Sequence, residues 1–254
     1  MKIKKIALAL LAGLPGFSIA ADAADSFFEF SEAPAVASAT SVTLLEARGV
    51  AVSVLQGLTL DAGFYQIDGQ QVSRVDAGGS VSLPNLPQAL TPTAAALIGE
   101  HLYVVADHSL LNLDVGVVGS DWVECAPLPE SGGELPVLVG LRGALYLSGV
   151  GIHGTDTYVY EASQDAWAER AVAPQDLRGM IGIACGNEHF LYFNGQAADD
   201  AILAYHRTTD TWFPLGQLPA AIQVLAAGSK GTEFTLYAGD SVLSGEAVLR
   251  ATKY

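Results

Sequence analysis

An all-β fold of four-stranded blades, a β-propeller, is predicted by three recurrences in the sequence. Trp122, Trp167 and Trp212 stand 45 residues apart. Tyr103, Tyr146, Tyr192 and Tyr237 follow one another at intervals of 43, 46 and 45. Pro129, Pro174 and Pro219 each fall seven residues after a tryptophan. Self-similarity at a fixed period of this length marks a repeat architecture, in which each unit buries its apolar faces against its neighbours. With 27 glycines, 11 prolines and half of its 254 residues apolar, the chain reads as short buried strands separated by many turns. Helical periodicity is weak throughout.

Each unit resolves into four expected strands. The first is rich in Ala, Val and Gly, as at 94–98 and 181–185. Small residues suit an inner strand, because blades converge on an axis. The second carries Leu-Tyr and ends at a small residue. The third holds Tyr160 or Tyr205, with Leu113 at that place in the first clear unit. The fourth starts at the tryptophan and runs out at Leu-Pro. Tyrosine and tryptophan lie further from the axis, where large rings fill the widening gap between sheets. A weaker unit precedes these, with strands expected at 41–45, 50–55, 64–68 and 80–83 and an exit at Pro84 to Pro87. The last unit supplies only three strands, at 221–227, 234–239 and 247–253. Phe27, Phe28 and Phe30 lead to Pro34, which again lies seven residues after an aromatic. Residues 27–31 are therefore expected as the missing outer strand, paired antiparallel with 247–253. That pairing would close the ring with the N-terminal strand and remove two bare sheet edges. Five blades result, with six as the alternative.

The small-Tyr-x-x-Gly strand, the tyrosine of strand three and the Trp-to-Leu-Pro strand resemble kelch repeats over residues 27–254. The resemblance implies a kelch-type β-propeller occupying 21–254 as one domain.

Residues 1–20 read as an address. Lys2, Lys4 and Lys5 precede an apolar stretch from Ile6 to Phe17, and Ser18-Ile19-Ala20 offers small residues for cleavage. The apolar run is short for a bilayer span, so a cleaved signal peptide and a periplasmic or secreted protein are expected. Cleavage removes three lysines and no acid, taking the net charge from −15 to −18. So acidic a surface repels phosphate backbones and anionic membranes, which excludes nucleic-acid binding and argues against membrane partners. Cys125 and Cys185 are too few for a disulfide framework. The repeat puts them in blades that are not neighbours, so both are expected as unbonded, buried small hydrophobes.

In a four-stranded meander, the loops from strand two to three and from strand four to the next strand one share a face, and loops on a rigid scaffold carry function. The two-to-three loops hold Asp107 and His108; His153 and Asp156; Gln196, Asp199 and Asp200; and Asp240, Ser241 and Glu246. The connections between units hold Gln88, Glu130, Glu134, Gln175, Asp176 and Arg178. The mouth is therefore expected to be acidic, with Arg178 as its fixed cation. No metalloprotease, hydrolase or phosphate-loop motif occurs. Histidines 101, 108, 153, 189 and 206 are scattered, so neither a metal nor a cofactor is expected.

Three stretches, AAALIGEHLYVVA (94–106), ILAYHRTTDTW (202–212) and LYAGDSVLSGEAVLR (236–250), resemble the sialic acid (N-acetylneuraminate) mutarotases of kelch fold. Members of that group are exported, act on free sugars, and end in a Gly-Glu phrase followed by Pro-Gly and an arginine. The resemblance implies an acid/base at Asp240 in one frame or Glu246 in the other. Arg178 or Arg250 would hold a substrate carboxylate, with His153 and Asp200 beside it. The Pro-Gly-Arg phrase is absent. The expected function is a propeller with a degenerate mutarotase-like site that binds a carbohydrate or a protein partner. The alternative is an active sugar mutarotase, which needs one group to protonate the ring oxygen and one to take the anomeric proton.

Overall fold

In the computed structural model the described residues are 26–32, 41–45, 51–55, 64–76, 79–87, 90–129, 135–194, 201–218, 224, 226–238 and 241–249. They form strands joined by turns. In chain order these are β1 (Ser26–Glu32), β2 (Ser41–Leu45), β3 (Ala51–Leu55), β4 (Phe64–Asp68), β5 (Gln71–Asp76) and β6 (Gly79–Leu83). Next come β7 (Pro92–Ile98), β8 (His101–Ala106), β9 (Ser109–Asp114) and β10 (Val123–Glu124), then β11 (Val137–Leu141), β12 (Ala144–Val150), β13 (Asp156–Glu161) and β14 (Ala166–Glu169). Last are β15 (Met180–Cys185), β16 (His189–Asn194), β17 (Ala201–His206), β18 (Thr211–Gln217), β19 (Ala226–Lys230), β20 (Glu233–Ala238) and β21 (Ser241–Leu249).

Three of the expected units are separate antiparallel meanders of four strands, β7–β10, β11–β14 and β15–β18. The remaining strands form one nine-stranded sheet in the order β1-β21-β20-β19-β2-β3-β4-β5-β6. Two expectations are corrected there. The first unit was read as 41–45, 50–55, 64–68 and 80–83. Its meander is instead β3–β6, with β5 inserted, while β2 leaves the unit and pairs with both β19 and β3. The cause of the insertion is a tight hairpin turning at Gly69-Gln70, where Gly69 has φ 56. It sets Ile67 against Val72, both buried. Glycine at the first of the two central positions suits a two-residue hairpin turn. The last strand was expected at 247–253 and is β21, because its pairing with β20 already begins at Ala238↔Ser241. Its partner is indeed the N-terminal strand, in the register Ser26↔Leu249 to Glu32↔Leu243.

The inner strands β3, β7, β11, β15 and β19 lie against one another in that order. Their small residues are required by close approach. A Cβ on Gly140 would stand 2.7 Å from Ile98 Cγ1, and one on Gly182 would stand 2.6 Å from Val137 Cγ1. Between successive meanders lie four apolar layers. Tyr65, Ile67 and Val72 meet Leu102, Val104 and Leu113; Tyr103 and Val105 meet Leu145 and Tyr158; Tyr146 and Val159 meet Phe190 and Tyr205; Phe193 and Ile202 meet Phe234 and Leu236. Burying each such side chain stabilises by about 1.5–3 kcal/mol.

A recurring polar lock joins these layers. The indole N–H groups of Trp122, Trp167 and Trp212 donate to the carbonyls of Pro84 (2.9 Å), Ala126 (3.2 Å) and Ala171 (2.8 Å), each on the preceding meander's exit. Asp165 Oδ1 accepts from the Ala126 amide at 2.6 Å and the Tyr160 hydroxyl at 2.8 Å. Asp210 Oδ1 does the same for Ala171 and Tyr205, at 2.8 and 2.7 Å. Both aspartates sit in the left-handed region, at φ 46 and 52, a conformation that short polar side chains tolerate. The Ala126 amide and the Tyr160 hydroxyl hold the Asp165 carboxyl below its usual range. The tryptophans occupy equivalent places, as expected, but they are half-buried, since the indole must reach the edge of the layer to meet the neighbouring backbone. Cys125 and Cys185 are free. Cys185 is buried, while Cys125 is only half-buried against Tyr160 because it lies beyond its two-residue outer strand. Among the described residues no helix is long and apolar enough to cross a membrane.

Candidate functional site

The loops expected to share a face do meet. The Asp107 amide donates to Thr91 O at 3.1 Å, Leu128 N to His108 O at 3.3 Å, Ala173 N to Thr155 O at 2.8 Å and Leu177 N to Gly154 O at 2.9 Å. Each pair joins a two-to-three loop to a connection between units.

The best-defined part of this face surrounds Arg178. The Asp176 carboxylate caps the backbone, its Oδ1 accepting from Arg178 N at 2.9 Å. It also takes the guanidinium side-on, through Nε at 2.9 and 3.0 Å and through Nη2. These bonds hold the Asp176 carboxyl below the ordinary carboxylate range. Both side chains remain exposed, at 38% for Arg178 and 47% for Asp176, so the pair is worth little to stability and its value is in fixing direction.

A loop with glycine at three of six positions makes room for it. The β12–β13 register shifts between Ser148 and Val150, a bulge of the kind that re-aims strands beside functional sites. Gly149, Gly151 and Gly154 follow at φ 80, 77 and 66. A Cβ on Gly149 would lie 3.2 Å from Arg178 N, and one on Gly154 would lie 2.5 Å from Arg178 Nε and overlap Asp176 Oδ1. One on Gly151 would overlap the Asp156 carboxylate. Only glycine both adopts this backbone and admits the pair. His153 is exposed at the loop tip beside Ile152, which is 91% exposed. Beneath the bulge, the Ser148 and Tyr192 hydroxyls meet at 3.1 Å, both fully buried. Burial drives the Tyr192 hydroxyl well above its usual range, so it stays neutral. Neither this pair nor the glycine cradle was singled out from the sequence, although GVGIHG at 149–154 carries the signal for the cradle.

Of the expected site residues, the structure brings Arg178, Asp176, Asp156 and His153 to one face. Asp200, Asp240 and Arg250 lie outside the described residues. Glu246 does not lie in the two-to-three loop. It is inside β21, opposite Glu233 on β20 and Glu29 on β1. At about 3.3 Å per residue it is roughly 16 Å along the strand from Ser241, toward the opposite face. Among the described residues no group of three or more His, Cys, Asp or Glu side chains could hold a metal ion.

Four-stranded antiparallel meanders whose inner strands lie side by side define the β-propeller class. A solved structure with this fold is selenomethionine-substituted virginiamycin B lyase from Staphylococcus aureus. It is similar with a TM-score of 0.54 at 10% identity over 92% of this chain and 80% of that one. A second, YjhT, is similar at 16% identity with a TM-score of 0.48 over 56% of this chain, which spans about 55% of that protein. No family model and no curated protein matches the sequence.

Proposed function

We propose that this chain is an exported, kelch-type propeller that binds a carbohydrate on the face where two-to-three loops meet the connections between units. Residues 1–20 are its signal peptide, and 21–254 form one domain of five blades, completed by β1. The observation that carries the binding reading is the Asp176–Arg178 fork held over the glycine-rich loop 149–154. It offers a fixed acceptor and fixed donors side by side, the pairing that adjacent sugar hydroxyls match, on a surface open enough for a ring to approach. His153, exposed at the tip of the same loop, extends it. Titrating the mature protein with N-acetylneuraminate, followed by saturation-transfer NMR, tests this. Arg178→Ala should weaken binding by about tenfold, as for loss of a charge-assisted hydrogen bond. Equal binding by the variant refutes the site.

The stretch 236–250 favours a second reading, a sugar mutarotase with Asp240 as acid/base. Anomer exchange of freshly dissolved N-acetylneuraminate, faster with protein than without, would support catalysis. Unchanged exchange leaves a binder.

A further inference from the structure

The opposite end of the inner strands holds a cavity that the loop-face reading does not use. It measures about 370 Å³ and opens among the turns that join first to second strands. Its apolar lining is Leu97, Ile98, Leu141 and Ala184, all half-buried, and the Ser229 hydroxyl beside them donates to Ala184 O. Arg142 is its charged side chain among the described residues.

The backbone at Arg142 is unusual for its type. In four turns the residue after the inner strand is left-handed: Gly99, Arg142, Gly186 and Gly231, at φ 59, 52, 61 and 65. Three use glycine, which enters that region freely. One holds an arginine there, a long side chain in a conformation that costs free energy and that clusters at functional positions. Charge adds to the geometry. Arg142 Nη1 stands 3.8 Å from Glu188 Oε1, but the same carboxylate is held by Arg207 Nε at 3.7 Å and by the Thr208 hydroxyl. Two guanidiniums share this one carboxylate, so Glu188 does not by itself neutralise both arginines. The Glu100 carboxylate lies away from the cavity, where a Cβ on Gly116 of its own meander would overlap it.

We propose that this cavity binds a small carboxylate with an apolar body, its carboxylate on the Arg142 guanidinium and its body against Leu97, Ile98, Leu141 and Ala184. The volume lies within the range of small-molecule sites. Benzoate and its neutral isostere benzamide are the probes, titrated into the mature protein by calorimetry. Benzoate should bind at least about tenfold more tightly than benzamide, and Arg142→Gly should weaken benzoate by about the same factor. Without ligand, Arg142→Gly should leave the thermal midpoint unchanged or raised, because glycine relieves the left-handed backbone. Arg178→Ala should leave benzoate affinity unchanged. The proposal is overturned by equal affinity for the two probes, by unweakened benzoate binding in Arg142→Gly, or by a fall in that variant's midpoint that marks Arg142 as structural. Loss of benzoate binding in Arg178→Ala would overturn it too, by placing the carboxylate on the other face.

Discussion

Residues 92–217 and the nine-stranded sheet are built from the same kind of strand yet end differently. In the first region every meander stays a separate four-stranded sheet. In the second, two meanders run together through β2, which pairs with β19 on one side and β3 on the other. The difference follows the polar lock. Where a tryptophan starts or precedes the outer strand, its indole N–H ties that strand to the exit of the previous meander, and in two cases an Asp-x-Trp aspartate adds a second tie. The tie fixes how far adjacent sheets stand apart, so they pack through side chains. The outer strands of the fused sheet, β1 and β6, have no tryptophan. Between β19 and β3 the strand β2 supplies backbone pairing instead, whereas β19 packs on β15 through side chains without such a tie among the described residues.

The largest effect should come from removing the strand that completes the fused sheet. Deleting 21–34 takes β1 from β21, leaving seven residues of β21 without their partner. The thermal midpoint should fall by roughly 10 °C or more, given a few degrees per kcal/mol for a chain of this size. An unchanged midpoint would mean that β1 is dispensable and that the fused sheet is no structural unit. A smaller loss is expected from the locked region. Trp212→Ala removes the Ala171 hydrogen bond and the ring contacts at 4.9 and 5.0 Å with Tyr205 and Tyr192. It should cost about 3 kcal/mol by denaturant unfolding, at the low end for large aromatics because Trp212 is half-buried. A loss below about 1 kcal/mol would show that the lock does not hold the sheets apart.

The same contrast explains what the sequence disclosed. Recurrence makes a position readable, so Trp122, Trp167 and Trp212 located the outer strands, and the four Leu-Tyr segments located the second strands. Position 27 as a stand-in for tryptophan found the partner of the last strand, but not its register, because no recurrence fixed where β21 begins. The extra strand β5 was missed because its unit lacks the tryptophan that marks the others. At the site, Arg178 was found as a lone cation in an acidic set of loops. The Asp176 fork depends on a backbone turn and the glycine cradle on a bulge, both set by three-dimensional approach. Glu246 was misplaced for the same reason as the register of β21.

Acid should weaken the locked region before it reaches the carboxylates. His189 pairs across β16–β17 with His206, their rings 4.6 Å apart. Burial, with the His206 charge second, lowers its pKa to about 4, against about 6.5 in an unfolded chain. The unfolded state therefore binds the proton first. Stability from the neutral imidazole is complete above pH 6.5 and is lost as pH falls from there toward 4. Asp165, Asp176 and Glu188 are all held below their usual range, so they remain ionised through most of that window. Thermal midpoints at pH 7.5 and 5 should differ less in His189→Gln than in the unmodified protein. An identical difference in both would remove His189 as the cause.

The smallest effect probes the register of the fused sheet. Glu246 on β21 faces Glu29 on β1 and Glu233 on β20. Three acids thus stand in one row across three adjacent strands. Like charges directly opposite one another destabilise a sheet, and opposite charges stabilise it by about 0.2–1 kcal/mol per pair. Glu246→Lys converts two repulsive neighbours into two attractive ones, so it should raise stability by about 0.5–1 kcal/mol at low salt. The gain should shrink as salt rises, since salt screens charge pairs. The substitution also separates the two frames of the sugar-site reading. If Glu246 lies in β21, away from the loop face, Glu246→Lys stabilises the protein and leaves N-acetylneuraminate binding intact. If the variant is destabilised and binding is lost, residue 246 belongs to the loop face, the register of β21 shifts, and the fused sheet would have to be paired anew.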